Sequence, residues 1–296
     1  MVESSSLRGT LTPRPLPEGE GASLDEAATS HFVQAGGVRL HYNDVVAGAP
    51  VIMLHGAGPG ASSWSNFRQN LPAFAERFRA LLVDMPQFGK SEKLVIEEGR
   101  LTFAARALAA FMDELGLQTA HFVGNSMGGQ AAIKLAIEAP ERVGKLVVIG
   151  SAPVSWSLFS PTPLEGIKHI AGYYRGDGPS LEKMRRLMEV LVYDQSLVTD
   201  EAVRERYEAS LDPDVIRIMS SSPPRNEDLS DKLHLVRCPT LVVWGMDDRM
   251  GALDVGLLLT RRFPNARMHI FNKCGHWAQV EHAAEFDRLV LDFLAN

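Results

Sequence analysis

The stretch "HFVGNSMGGQ", His121–Gln130, sets one serine among glycines in a G-x-S-x-G arrangement. Apolar residues lead into it, and "GGQAAIKLAIEAP" after it carries helical spacing up to a proline. A strand that runs directly into a helix puts the serine at their junction on a sharp turn, with its Oγ exposed. The glycines are needed because such a turn brings backbones too close for side chains. Five residues alone could equally form an inert turn. A serine hydroxyl is a poor nucleophile near neutral pH unless a base lies within hydrogen-bond reach and a third group orients that base.

Outward from this junction the chain alternates strands and helices. "HFVQAGGVRLHYNDV" reads as two short strands around an Ala-Gly-Gly turn, and Val51–Leu54 as a buried strand entering the glycine-rich "HGAGPG". "SSWSNFRQNLPAFAERF" is helical, and "RALLVDM" is a buried strand. "LTFAARALAAFMDELGL" is an amphipathic helix with Thr102 as N-cap and Gly116 as its stop. "KLVVIGSA" is again a strand. From about Ser155 to Ser222 the strands cease and helical patterns take over; "TLVVWG" and "ARMHIF" restore the rhythm before a last helix. This predicts an α/β protein with a mostly parallel sheet covered on both faces, residues 30–154 and 223–296, interrupted by a helical lid at 155–222.

That order locates the partners of Ser126. The acid is expected after a late strand and the base last, in the order Ser, acid, His. "LVVWGMDDRM" offers Asp247 and Asp248, between which spacing does not decide, and "FNKCGHWAQ" offers His276 in the loop after the final strand. All three sites then lie at strand C-terminal ends, where open α/β sheets bind ligands. His55, opening the glycine loop, reads as a support for that loop. The oxyanion hole needs two backbone N–H groups, one from Met127 and one from Ala57 or Gly58. "GAGPG" has no following Lys-Ser/Thr, which argues against a phosphate cradle.

A formal net charge of -6 without a long basic run argues against nucleic acid as partner. No apolar run approaches the ~20 residues of a membrane span. Cys238 and Cys274 form no CxxC pair, which fits a reduced, cytoplasmic compartment. Residues 1–29 are rich in Pro, Gly, Ser and Glu without an apolar core, and read as a disordered tail rather than a secretory signal.

These residues resemble the α/β-hydrolases over nearly the whole chain after about residue 30. "HGAGPGASSWSNF", "GNSMGG", "LVYDQSLVT", "WGMDDR" and "CGHWAQVEH" together look like the meta-cleavage product hydrolases, which cut carbon–carbon bonds in ring-fission products of catechols, biphenyls and steroid rings. The resemblance implies that Ser126 is the nucleophile, His276 the base and Asp248 the acid, with Ala57 and Met127 as oxyanion amides. It further implies substrate contacts from Gly58, Asn66, Asn125, Ser196, Arg206 and Trp277. Arg206 has separate support: on the helix begun by Thr199 it shares a face with Ala202 and Val203, whereas Arg204 points away. The implied substrate is a small-molecule 2-hydroxy-6-oxo-hexa-2,4-dienoate, without metal or organic cofactor, and the implied assembly is a homo-oligomer. An ester hydrolase with the same three residues is the alternative. The chain departs from the usual pattern at Gln87, at Met250 and Gly251, and at Ala57, where a glycine is frequent.

Overall fold

The computed structural model describes residues 24–45, 48–221 and 227–296. Its strands are β1 (Ser30–Ala35), β2 (Val38–Val45), β3 (Ala49–Leu54), β4 (Phe78–Val83), β5 (Ala120–Asn125), β6 (Val143–Ile149), β7 (Thr240–Gly245) and β8 (Ala266–Phe271). They form one sheet in the order β1-β2-β4-β3-β5-β6-β7-β8. β2 is antiparallel to β1 and β4, while β3 to β8 run parallel. Parallel neighbours require crossovers, so each return of the chain carries a helix across a face.

The helices before the interruption are α1 (Glu26–Thr29), α2 (Ser63–Phe67), α3 (Leu71–Ala75), α4 (Arg100–Glu114) and α5 (Met127–Glu138). Those within it are α6 (Glu165–Tyr173), α7 (Leu181–Leu191), α8 (Asp200–Ala209) and α9 (Pro213–Ser221). The chain closes with α10 (Leu253–Arg262), α11 (Ala278–Glu281) and α12 (Ala283–Ala295). Alternate residues of each central strand point to opposite faces. Ile52 and Leu54 of β3 join α4, α5 and α10 in one apolar cluster; Val51 and Met53 join α2, α3 and α12 in another. Both faces are therefore apolar, which is why these strands read as continuous hydrophobic runs. Phe122, fully buried on β5, contributes on the order of 1.5–3 kcal/mol by leaving water.

Helices α6 to α8 have a smaller core of their own, built on Tyr173, Met184, Leu187, Leu191 and Val203, whereas Met219 of α9 packs against the main core. Met250, from the loop after β7, inserts into the smaller core. The His276 N–H donates to Leu191 O at 2.8 Å, tying the two parts together beside the future site. The expected end of this insertion, residue 222, lies outside the described residues, as do residues 1–23 of the expected tail.

Two local expectations are corrected. The last residues of the expected tail form α1, capped by Asp25 and held to β2 by Asn43 Nδ2, which donates to Glu26 O at 2.9 Å. Thr102 is not the N-cap of its helix: α4 begins two residues earlier, after Gly99. The Glu227 carboxylate does the capping from far along the chain, accepting the Leu101 and Thr102 N–H groups at 2.7 and 2.9 Å. Among the described residues no helix is long and apolar enough to cross a membrane.

Candidate active site

Ser126 sits where β5 gives way to α5, at φ 51 and ψ -118, a conformation that side chains rarely adopt. Its N–H donates to Ile149 O at 2.8 Å and its carbonyl accepts from Gln130 N at 3.0 Å, so both neighbours hold the turn. A methyl group at Gly128 would stand 2.4 Å from Leu54 O, which explains the glycine after the serine. The serine thus projects above the sheet at the positive end of α5.

His276 and Asp248 come together from the loops after β8 and β7. His276 Nδ1 lies 2.8 Å from Asp248 Oδ2, and the two side chains are only 3% and 1% exposed. An ionised carboxylate only accepts, so the proton is on Nδ1 and Nε2 carries the lone pair. Asp248 Oδ1 accepts from Met250 N at 2.7 Å and Gly251 N at 2.9 Å. The unusual Met250-Gly251 pair therefore still supplies the two amides that fix the acid. Asp247 points away and is exposed. A methyl group at Gly150, just past β6, would lie 2.7 Å from His276 Nδ1; this close backing glycine has no signal of its own in "VVIGSA".

The loop after β3 is braced by His55. Met85 N donates to His55 Nε2 at 2.9 Å, so the ring proton is on Nδ1 and donates to Gly56 O at 2.7 Å. Complete burial lowers the imidazole pKa and keeps it neutral in this role. Ala57 follows, and neither its N–H nor that of Met127 donates a hydrogen bond among the described residues. Two free amides beside one serine are the arrangement that stabilises a developing oxyanion.

Ser126 and His276 line a small recess with Gly58, Asn66, Asn125, Arg206 and Trp277. Arg206 reaches it from α8, whose first turn is capped by Thr199. It is 8% exposed, its Nε has no partner, and among the described residues no carboxylate pairs with it. Burial pulls its pKa down to about 10. Its guanidinium lies 4.9 Å from the Trp277 ring centroid, and a methyl at Gly58 would meet its Nη2 at 2.4 Å. Asn66 Oδ1 and Asn125 Oδ1 are also buried without partners. Asn125 Nδ2 is used, donating to Ile149 O and His276 O at 3.3 Å each. A buried cation without a counter-ion is costly unless a ligand supplies one.

A cavity of about 1690 Å³ adjoins the recess, between the C-terminal ends of the central strands and α6 to α9; the two share Ala57, Ser126, Arg206 and Trp277, and Met127 lines the cavity. Ser196 is not brought to either space. It is exposed, and its hydroxyl donates to Asp194 Oδ1 at 2.7 Å; Leu197 and Val198 line the cavity in its stead. Gln87 keeps the loop after β4 in shape by adopting φ 76 itself, with Nε2 donating to Leu94 O at 2.8 Å. Arg100 lines the cavity and was not anticipated from the sequence, where it is one more charge at a helix start. Among the described residues no group of three or more His, Cys, Asp and Glu side chains is arranged to hold a metal ion.

A family model described as the alpha/beta hydrolase fold matches residues 49–283. The 2-hydroxy-6-oxononadienedioate/2-hydroxy-6-oxononatrienedioate hydrolase of Cupriavidus pinatubonensis is 45% identical over 285 residues, covering 93% of this chain and 98% of the relative. The 2-hydroxy-6-oxo-6-phenylhexa-2,4-dienoate hydrolase of Burkholderia cepacia is 45% identical over 284 residues, covering 92% and 99%. A meta-cleavage product hydrolase from Pseudomonas fluorescens IP01, solved with acetates, is similar with a TM-score of 0.82 at 34% identity, covering 90% of this chain and 98% of the other.

Proposed function

The chain belongs to the alpha/beta hydrolase family and within it to the meta-cleavage product hydrolases, and on that premise we propose both its reaction and the work of each residue. It hydrolyses a carbon–carbon bond in a 2-hydroxy-6-oxo-hexa-2,4-dienoate ring-fission product. Arg206, with Asn66 and Asn125 beside it, holds the carboxylate and dienolate end against Trp277 and Gly58. The dienolate takes a proton on carbon and becomes a ketone, which gives the future leaving group a place for an electron pair. His276 Nε2 takes the proton of Ser126 as its Oγ attacks the distal ketone, while the Ala57 and Met127 amides stabilise the oxyanion. Asp248 holds the histidine tautomer. The carbon–carbon bond breaks with its electron pair delocalised through the conjugated C=C into the ketone beside the carboxylate; the enolate so formed takes the proton held on His276 Nε2 and leaves as the hydroxydienoate, so that an acyl group stays on Ser126 and the imidazole is neutral again. Water, deprotonated by His276, releases that acyl group as a carboxylic acid.

Arg206 carries this reading. An ester or lactone needs no cation in the recess of the nucleophile, whereas a dienoate brings the carboxylate that pairs with one. Decay of the visible absorbance of the dienolate tests it. Ser126→Ala is expected to lower kcat by at least about 1000-fold. Full turnover by that variant on every ring-fission product tried would defeat the assignment of Ser126.

The resemblance also supports a cytoplasmic homo-oligomer that meets neither nucleic acid nor membrane. The free outer edge of β8 offers one place for a second copy. A monomer in light scattering would overturn the oligomer.

A further inference from the structure

We propose that Arg100 is a second carboxylate-binding residue of the cavity, and that the substrate is a ring-fission product carrying a carboxylate at each end. This rests on the carbon–carbon hydrolase reading above and names the group beyond the ketone, which that reading leaves open.

The cations around the cavity are accounted for one by one. Arg68 pairs with Glu205 and Lys90 with Glu26, and Lys93 lies 3.7 Å from Asp212. Arg175 is exposed to water. Arg206 faces the recess and is assigned there. Arg100 remains. It is half-buried at the first turn of α4; among the described residues its Nε is shut off from solvent without a partner, and the one polar atom against its guanidinium is Met127 Sδ, 3.9 Å from Nη1. Burial without a counter-charge also draws its pKa down to about 10.

The carboxylates nearby are already committed. Glu227 accepts from Leu101 N, Thr102 N and Thr102 Oγ1, and lies 3.3 Å from Lys134 Nζ. Asp228 accepts from Ser155 N at 2.9 Å and Ser230 N at 2.8 Å, and from both hydroxyls. Neither pairs with Arg100. Among the described residues, this part of the cavity therefore presents a guanidinium with no fixed anion.

Position decides which end of the substrate it meets. Ser126 lines both the recess and the cavity, whereas Arg100 lines only the cavity. Met127, next to Ser126, lines the cavity with Arg100, and its sulfur lies 3.9 Å from Arg100 Nη1. With the dienoate end held by Arg206, the acyl group bound for Ser126 extends past Met127. An apolar acyl group would cover Arg100 and leave it unpaired, which is costly; an acyl chain ending in a carboxylate would pair with it. The acid released is then a dicarboxylic acid.

Steady-state kinetics on three substrates test this: 2-hydroxy-6-oxononadienedioate, 2-hydroxy-6-oxo-6-phenylhexa-2,4-dienoate and the analogue with a methyl group on the ketone. Arg100→Gln is expected to cost the dicarboxylate about 10- to 100-fold in kcat/KM, mostly through KM. The phenyl and methyl substrates are expected to stay within about threefold. Arg100→Lys is expected to recover part of the loss. Equal losses on all three would make Arg100 only a prop for Met127 and overturn the proposal, as would an unchanged dicarboxylate. Inhibition of the unaltered enzyme gives a reading independent of the variants: butanedioate is expected to bind about 10-fold tighter than butanoate, and equal inhibition overturns the proposal. Turnover of the phenyl substrate with the dicarboxylate refused would defeat this proposal alone. Turnover of none of the three would defeat the parent reading and this one with it.

Discussion

Asp247 and Asp248 leave the same strand end one residue apart, and the turn between β7 and α10 separates their fates. Asp248 is anchored through one oxygen by the Met250 and Gly251 amides and offers the other to His276. Asp247 is exposed and contributes its N–H to Cys274 O at 2.9 Å. Asp248→Asn is expected to lower kcat by about 10⁴-fold, because an amide at Oδ2 favours the wrong histidine tautomer. Asp247→Asn is expected to stay within about twofold, as surface changes do; comparable losses in a dienolate-decay assay would refute the distinction. Sequence spacing could not separate the pair, since a one-residue shift on a turn is invisible to periodicity. Arg206 was legible because helical geometry orders residues three and four apart. Arg100 was not, because its lack of a carboxylate partner among the described residues depends on how Glu227, distant in sequence, is already engaged. Ser196 carried the family pattern yet turned outward to Asp194.

At the scale of the element, α4 shows how far a cap can come from. Local sequence points to Thr102 as its start, because the acceptor that stops the helix unravelling lies on the far side of the helical insertion. Burial by itself would raise the Glu227 carboxyl. Hydrogen bonds from Thr102 and Lys134 outweigh it and hold the group below the usual glutamate range. Its contribution to stability is thus full above the ordinary value of about 4.3 and is lost as pH falls through the lowered folded value. Glu227→Ala is expected to cost about 1–2 kcal/mol near neutral pH, a fall in Tm of roughly 2–8 °C. The gap between the two proteins should close in acid; thermal melts across pH would show it, and a gap that persists unchanged would argue against the cap.

The molecule as a whole is closed by contacts between the start of α3 and the last two helices. Asn70, at the start of α3, donates to Gln279 O at 3.0 Å and to Asp287 Oδ1 of α12 at 2.7 Å. Burial pushes the Asp287 carboxyl up to about 6. An acid raised in this way favours folding below its ordinary value of about 3.9, and that advantage is lost as pH rises through about 6. Asp287→Asn is therefore expected to stabilise the protein at pH 7.5 by on the order of 1–3 kcal/mol and to be neutral at pH 4. Urea denaturation at the two pH values checks the sign. The alternation of strands and helices was readable because burial on both sheet faces imposes it. The strand order, with β4 lying outside β3, was not, since pairing is chosen by contacts remote in sequence. One consequence concerns how such a protein can diversify. Arg206, the cation proposed to grip the dienoate, hangs from α8 of the insertion, whereas Ser126, Asp248 and His276 follow β5, β7 and β8 of the core. Substitutions in the cavity-facing positions of the helical insertion can therefore alter which molecule is admitted, except near Leu191, whose carbonyl also holds the His276 backbone.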